Sequence, residues 1–209
     1  MTRFYLSVLL TLFFISHVDA QDFSLRSISL NGGKQFSNFL FTTSSDQKDQ
    51  NLEYQMYNAF GLNASFTSTR HTIRPELQMR QAGAKKSIQN TSVSWKMNYF
   101  NFNLVYGYSL LQTDRFEIQT GAGFTIGYML NGEQMIGNER FSIVEEESMT
   151  RFEIGAQGLA NFSTHITDQL SLSLEYRFGA GLNHIENDLE EQKTRNIYHS
   201  ALLGIGLKI

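Results

Sequence analysis

The chain contains no cysteine, so no disulfide can hold it and no thiolate can act as nucleophile or metal ligand. It contains one proline, Pro75, which leaves long stretches free to pair as β-strands. Charged residues make up only 18% of the 209, with 17 basic, 20 acidic and a net charge of −3, which excludes the basic stripe of a nucleic-acid binder. It also lacks any apolar run long enough to cross a bilayer as a helix, which takes about 20 residues. The longest, Tyr5–Ile15, falls short of that and lies between Arg3 and the small-residue site Val18-Asp19-Ala20. That pattern is a secretory signal peptide. We therefore expect residues 1–20 to be removed and residues 21–209 to form one domain. If this domain spans a membrane, it does so with strands.

Glycine and aromatic residues are plentiful instead: 16 Gly, 17 Phe and 9 Tyr. They fall in a period-two pattern. In residues 116–130, Phe116, Ile118, Ala122, Phe124, Ile126, Tyr128 and Leu130 share one parity, and Glu117, Gln119, Gly121, Gly123, Thr125 and Gly127 share the other. Residues 151–162, 170–182 and 196–209 repeat the pattern, and 56–67 and 73–83 show it more weakly. Sustained alternation over a dozen residues specifies strands. Residues 92–110 also alternate, but the apolar parity changes from Val93, Trp95, Met97 and Tyr99 to Phe100, Phe102, Leu104 and Tyr106. A one-residue slip exchanges the two faces, so a β-bulge is expected near Tyr99. With a first strand near 23–31, the count is eight.

Long polar links are expected at 33–53, 131–149 and 183–196, an intermediate one at 85–91, and short ones at 68–72, 111–115 and 163–168. Long and short links in alternation describe an up-and-down meander with its tight turns at one end. Transmembrane β-barrels are built this way, with short periplasmic turns and longer external loops. A soluble lipocalin-like barrel would turn the same apolar face inward. The other face decides between them. It is rich in glycine (Gly121, Gly123, Gly127, Gly179, Gly181, Gly204, Gly206), which suits a crowded eight-strand interior rather than a hydrated surface. The fold class is therefore all-β, an eight-stranded antiparallel up-and-down transmembrane barrel.

Charges of both signs on the inner parity, Glu76, Arg80, Glu153, Glu175 and Arg177, are expected to pair as a network in the lumen. If the 163–168 turn centres on His165, Glu153 falls opposite Arg177. Outward aromatics are expected as two girdles. Phe66, Tyr108, Phe116 and Phe162 lie near the short turns; Tyr128 and Phe152, with Phe178, lie toward the long loops.

Residues 92–130 and 151–209 resemble the PorT-type outer-membrane β-barrel domains of Bacteroidota, which are similar in turn to OmpA-like eight-stranded barrels. The stretches FEIQTGAGFTIGYMLNGE (116–133), LSLEYRFGAGLNHIEND (172–188) and ALLGIGLKI (201–209) carry the likeness. Such barrels usually end in an aromatic residue read by the insertion machinery, whereas this chain ends in Ile209. The resemblance implies a Gram-negative outer membrane, contact with its lipid and lipopolysaccharide, insertion machinery during biogenesis, and, by analogy alone, protein partners in a secretion system.

The sequence offers little catalytic chemistry. A lipid hydrolase would need Ser, His and an acid grouped together. His199 and Ser200 are adjacent in a strand and so face opposite ways. His71 and His165 are expected in short turns, and His184 with Glu186 in a long loop. The acidic loop residues Glu133, Glu139, Glu145, Glu146, Glu147, Glu186, Asp188, Glu190 and Glu191 read as a hydrated surface rather than a cation site. We expect no catalytic residues, metal or cofactor. The function expected is a structural or surface-interaction role through the loops, with the lumen closed by its own charges. An accessory secretion barrel, a narrow pore, a soluble ligand-binding barrel and a lipid-modifying enzyme are the alternatives.

Overall fold

The computed structural model describes residues 23–43, 52–88, 91–187 and 192–209. The expected signal peptide lies outside them. The strands are β1 (Ser24–Thr43), β2 (Leu52–Ser68), β3 (His71–Ile88), β4 (Thr91–Gln112), β5 (Phe116–Ile136), β6 (Glu139–Ser142), β7 (Phe152–His165), β8 (Leu170–Gly181) and β9 (Gln192–Lys208). All pairings are antiparallel between chain neighbours, with β5 pairing both β6 and β7, and β1 closes on β9. Eight strands thus form the ring. The short β6 pairs with the far end of β5 alone, as a hairpin beyond it. Gly137, at φ +60°, makes its tight turn in a backbone region that favours glycine.

Several strands run further than the alternation suggested. β1 continues to Thr43, through residues expected as loop, and pairs with β9 as far as Gln192. β3 and β4 stay in register out to Ile88 and Thr91, so the 85–91 link is tight. These ends are polar or mixed, which hides their strand character from a hydrophobic period. Pro75 sits inside the sheet and pairs with Leu104 of β4. On its other side, the β2–β3 ladder skips from Asn63↔Glu76 to Phe66↔Ile73. The missing N–H therefore falls where pairing lapses.

The faces divide as the alternation requires. Leu203, Leu174, Phe124, Ile126, Ile154 and Leu172 all point outward and are exposed. Asn31, Gln35, Asn101, Asn103, Gln157 and the charged residues point inward and are buried. The inner glycines make room for side chains from neighbouring strands. A Cβ on Gly204 would lie 2.3 Å from Ser173 Oγ and 2.5 Å from Asn31 Oδ1.

A register shift does fall between Asn98 and Tyr99, but β4 does not change face there. Asn98 pairs with Asn131 and Tyr99 with Met129, so the extra residue is Leu130 on β5. Odd-numbered residues of β4 stay inward from Val93 to Ser109. On β5 the buried parity passes from Met129 to Gly132. Val93, Met97 and Tyr99 are apolar because the lumen itself becomes apolar at the long-loop end. There Phe39, Phe41, Ala82, Ala84, Met97, Tyr99, Met129, Ile143, Met149 and Ile185 form one buried cluster, with Leu52 and Trp95 packed against it.

Candidate functional site

The inside of the barrel is layered. At the short-turn end it opens as a polar vestibule of about 80 Å³. The layer above it is ionic. Arg74, Glu76, Gln78 and Arg80 succeed one another on the inner face of β3, because every second residue of a strand shares a face. β8, on the opposite wall, supplies Glu175 and Arg177. Arg177 Nη1 and Nη2 donate to Glu76 Oε1 and Oε2 at 3.1 and 2.9 Å, and its Nε donates to Glu175 Oε1 at 3.0 Å. Arg74 Nη2 lies 2.6 Å from Glu175 Oε2 and 4.0 Å from Glu76.

A second ionic layer lies further in. Arg80 Nη2 donates to Glu153 Oε2 at 2.7 Å, and Asn196 Nδ2 donates to the same oxygen at 2.7 Å. The Arg80 guanidinium is held between two rings, 4.7 Å from the centroid of Tyr99 and 5.0 Å from that of Tyr198. A planar, weakly hydrated cation between aromatic faces tolerates loss of water better than an ammonium would. Gly179 gives Tyr198 its place, since a Cβ there would lie 2.2 Å from the ring. The apolar cluster caps this layer. β5 and β6 bring in Ile143, whose N–H donates to the Gly132 carbonyl. The Met149↔Glu186 bridge holds Met149 and Ile185 over the same end.

All five charged residues singled out in the sequence are inside and ion-paired, but not in the expected register. Leu159, not Glu153, lies opposite Arg177, because the β7–β8 turn centres on Asp168 rather than His165. Glu153 bonds Arg80 instead. Arg74, on the same parity as Arg80, joins the network through Glu175. The roles of Tyr99, Tyr198 and Asn196 carry no sequence signal, since each depends on the strand opposite.

The six girdle aromatics lie on the outward parity. Phe116 stacks on Phe162 with centroids 6.4 Å apart, and Tyr108 lies 5.3 Å from His71 at the short-turn end. Phe66 is half-buried between Leu25 and Ile73. Tyr128 meets Phe152 edge-on at 5.2 Å toward the loops. An outward polar row follows one line of strand partners. Lys34 Nζ donates to Asn58 Oδ1 at 2.8 Å, Gln81 donates to Asn98 at 2.9 Å, and Asn98 donates to Asn131. Beyond that row, Lys96 faces Glu133. Along β3, β4 and β5 this row marks the upper edge of the apolar outer band, whereas on β1 and β2 the exposed Phe36, Met56 and Tyr54 continue beyond Lys34 and Asn58.

Among the described residues no three of His, Cys, Asp and Glu form a group able to hold a metal ion. His199 Nδ1 bonds the Tyr176 hydroxyl at 2.6 Å on the outer face, while Ser200 points inward to Gln35. His71 bonds Tyr106, and His184 approaches Arg195. Asp188, Glu190 and Glu191 of the acidic loop lie outside the described residues.

No family model and no curated protein matches the chain. Solved structures do. The outer membrane protein OprG from Pseudomonas aeruginosa is 11% identical, with a TM-score of 0.53 over 91% of this chain and 99% of that one. Neisserial surface protein A is 11% identical, with a TM-score of 0.51 over 87% and 97%. The outer membrane protease OmpT from Escherichia coli is 8% identical, with a TM-score of 0.50 over 93% and 100%. At such identities the shared property is the fold, that of outer-membrane β-barrels. The likeness to PorT-type domains in particular has no family model behind it.

Proposed function

We propose that the chain is an integral outer-membrane protein whose barrel is a closed anchor and whose loop end works at the cell surface. One observation carries this reading: a continuous ring of exposed apolar side chains surrounds an interior of buried ion pairs. Water outside would leave the apolar ring unburied, whereas lipid outside buries it and keeps the ion pairs in the interior. The signal peptide of residues 1–20 would deliver the chain across the inner membrane. The short turns would then face the periplasm, and β6 with its neighbouring loops the exterior.

The lumen is filled by the two ionic layers and the apolar cap, which favours a plug over a pore. The histidines lie apart from any Ser and acid partner in the described hydrogen bonds, which favours a binding or structural role over hydrolysis. Outer-membrane lipid, lipopolysaccharide and the insertion machinery are the partners this placement requires. A secretion-system partner is a second reading, supported by the PorT-type resemblance of residues 116–133 and 172–188.

Membrane fractionation tests the proposal. The protein should stay in the outer-membrane pellet after carbonate washing and migrate differently on gels with and without heating. Recovery in the aqueous fraction would overturn it. Planar bilayers should show no steady conductance, and pull-down from native membranes separates a lone barrel from a secretion component.

A further inference from the structure

The geometry points to the short-turn vestibule as a binding site for a small oxyanion, a phosphate or a carboxylate. The two carboxylates of the ionic layer above it are fully engaged. Both oxygens of Glu76 take Arg177, Glu175 Oε1 takes Arg177, and Glu175 Oε2 takes Arg74. In this layer Arg74 is the cation with capacity left over, since Arg177 uses all three of its guanidinium nitrogens. Arg80 also keeps Nε and Nη1 without an acceptor, but it lies deeper and does not line the vestibule. Arg74 lines the vestibule, is 7% exposed, and its Nε has no acceptor. A buried guanidinium N–H without an acceptor is costly, and an oxyanion is the group that satisfies it best.

The rest of the vestibule suits the same ligand. Arg26 and Lys208 stand in its wall, while its other carboxylate, Glu117, accepts from Ser109. Between them the lining is rich in hydroxyl and amide donors, among them Ser27, Ser173, Asn63 and Asn161. Glycines beneath keep it open: Gly204 and Gly206 carry no side chain where a Cβ would meet serine hydroxyls. In the orientation proposed above, the ligand would enter from the periplasm. The site itself rests on barrel geometry alone, so its test does not depend on the membrane reading.

Isotope-labelled protein refolded in a zwitterionic micelle should be titrated, at constant ionic strength, with inorganic phosphate, with acetate, and with a short peptide as free acid and as C-terminal amide. Saturable shifts confined to vestibule amides and the Arg74 Nε–H resonance are expected. The phosphate and carboxylate arms separate the two sources, and the peptide amide should be silent. Arg74→Gln should weaken binding by about tenfold or more, the loss of one charge-assisted bond, and Arg26→Gln by a few-fold. If Arg74→Gln does not fold, as judged by gel mobility, the wild-type titration and Arg26→Gln still decide. Absence of saturation, or equal shifts at cations of the long-loop end such as Lys96, would overturn the assignment.

Discussion

Arg177 on β8 places both terminal guanidinium nitrogens on the two carboxylate oxygens of Glu76 on β3, across the full width of the barrel, although 101 residues separate them. β3 and β8 are four strands apart whichever way one counts around the ring. The pair is therefore not a cross-strand contact of neighbours but a strut between opposite walls. Such struts fix the cross-section in a lumen too narrow for water to compete.

Arg80 and Glu153 form the more isolated pair, and there the cost of losing one partner should be plainest. Arg80→Met or Glu153→Met alone leaves a buried charge unpaired and should destabilise by about 3–5 kcal/mol. The double replacement should cost less than the sum of the two, and less than either if the methionines pack well. Urea titration in micelles, followed by gel mobility, measures each term. Strict additivity would mean the pair does not interact.

Gly179 should be intolerant of a side chain for a specific reason. A methyl group there would overlap the Tyr198 ring, which would have to leave its place over Arg80. Gly179→Ala should lower stability and change the near-ultraviolet circular dichroism of the tyrosines. Adding Tyr198→Ser should recover part of the loss by removing the overlap. No recovery would place the strain in the backbone instead.

The outward polar row predicts where lipid ends. Phe124→Arg, within the apolar band, should destabilise the barrel in vesicles by about 2–4 kcal/mol, whereas Asn131→Arg, at the row, should cost roughly 0–1 kcal/mol. Lipid-borne quenchers should reach probes at Leu172 and Ile126. If those two sites were shielded and the glycine-bearing face wet, the barrel would be inside out.

The apolar cap ties the loop end to the lumen. Ile143→Asp would bury a carboxylate with no cation in the cluster, so the β5–β6 hairpin should detach. Limited proteolysis should then cut between residues 137 and 150, with little loss in the heat-modifiable mobility of the barrel. Loss of the barrel itself would make the cap part of the folding core.

The bulge shows where one-dimensional reading ran short. A change in apolar parity at Tyr99 looks like a strand turning over. In the structure β4 keeps its face and its surroundings change, from polar lumen to apolar cap. The real insertion, Leu130, lies in the partner strand, where both parities are apolar around Met129 and nothing marks it. The misplaced Glu153–Arg177 pairing has a similar origin. Turn centres in polar links carry little periodic signal, and a small error shifts every later partner.

Period-two alternation fixed the strands, the outward face and the inward glycines and charges, because side-chain direction in a strand depends only on parity. It could not say which inward charge meets which. That was decided by ring closure and by the stagger of strands around the ring, which bring β3 opposite β8 and lift Glu153 to the level of Arg80. Those are properties of the closed sheet, and no segment of the chain contains them.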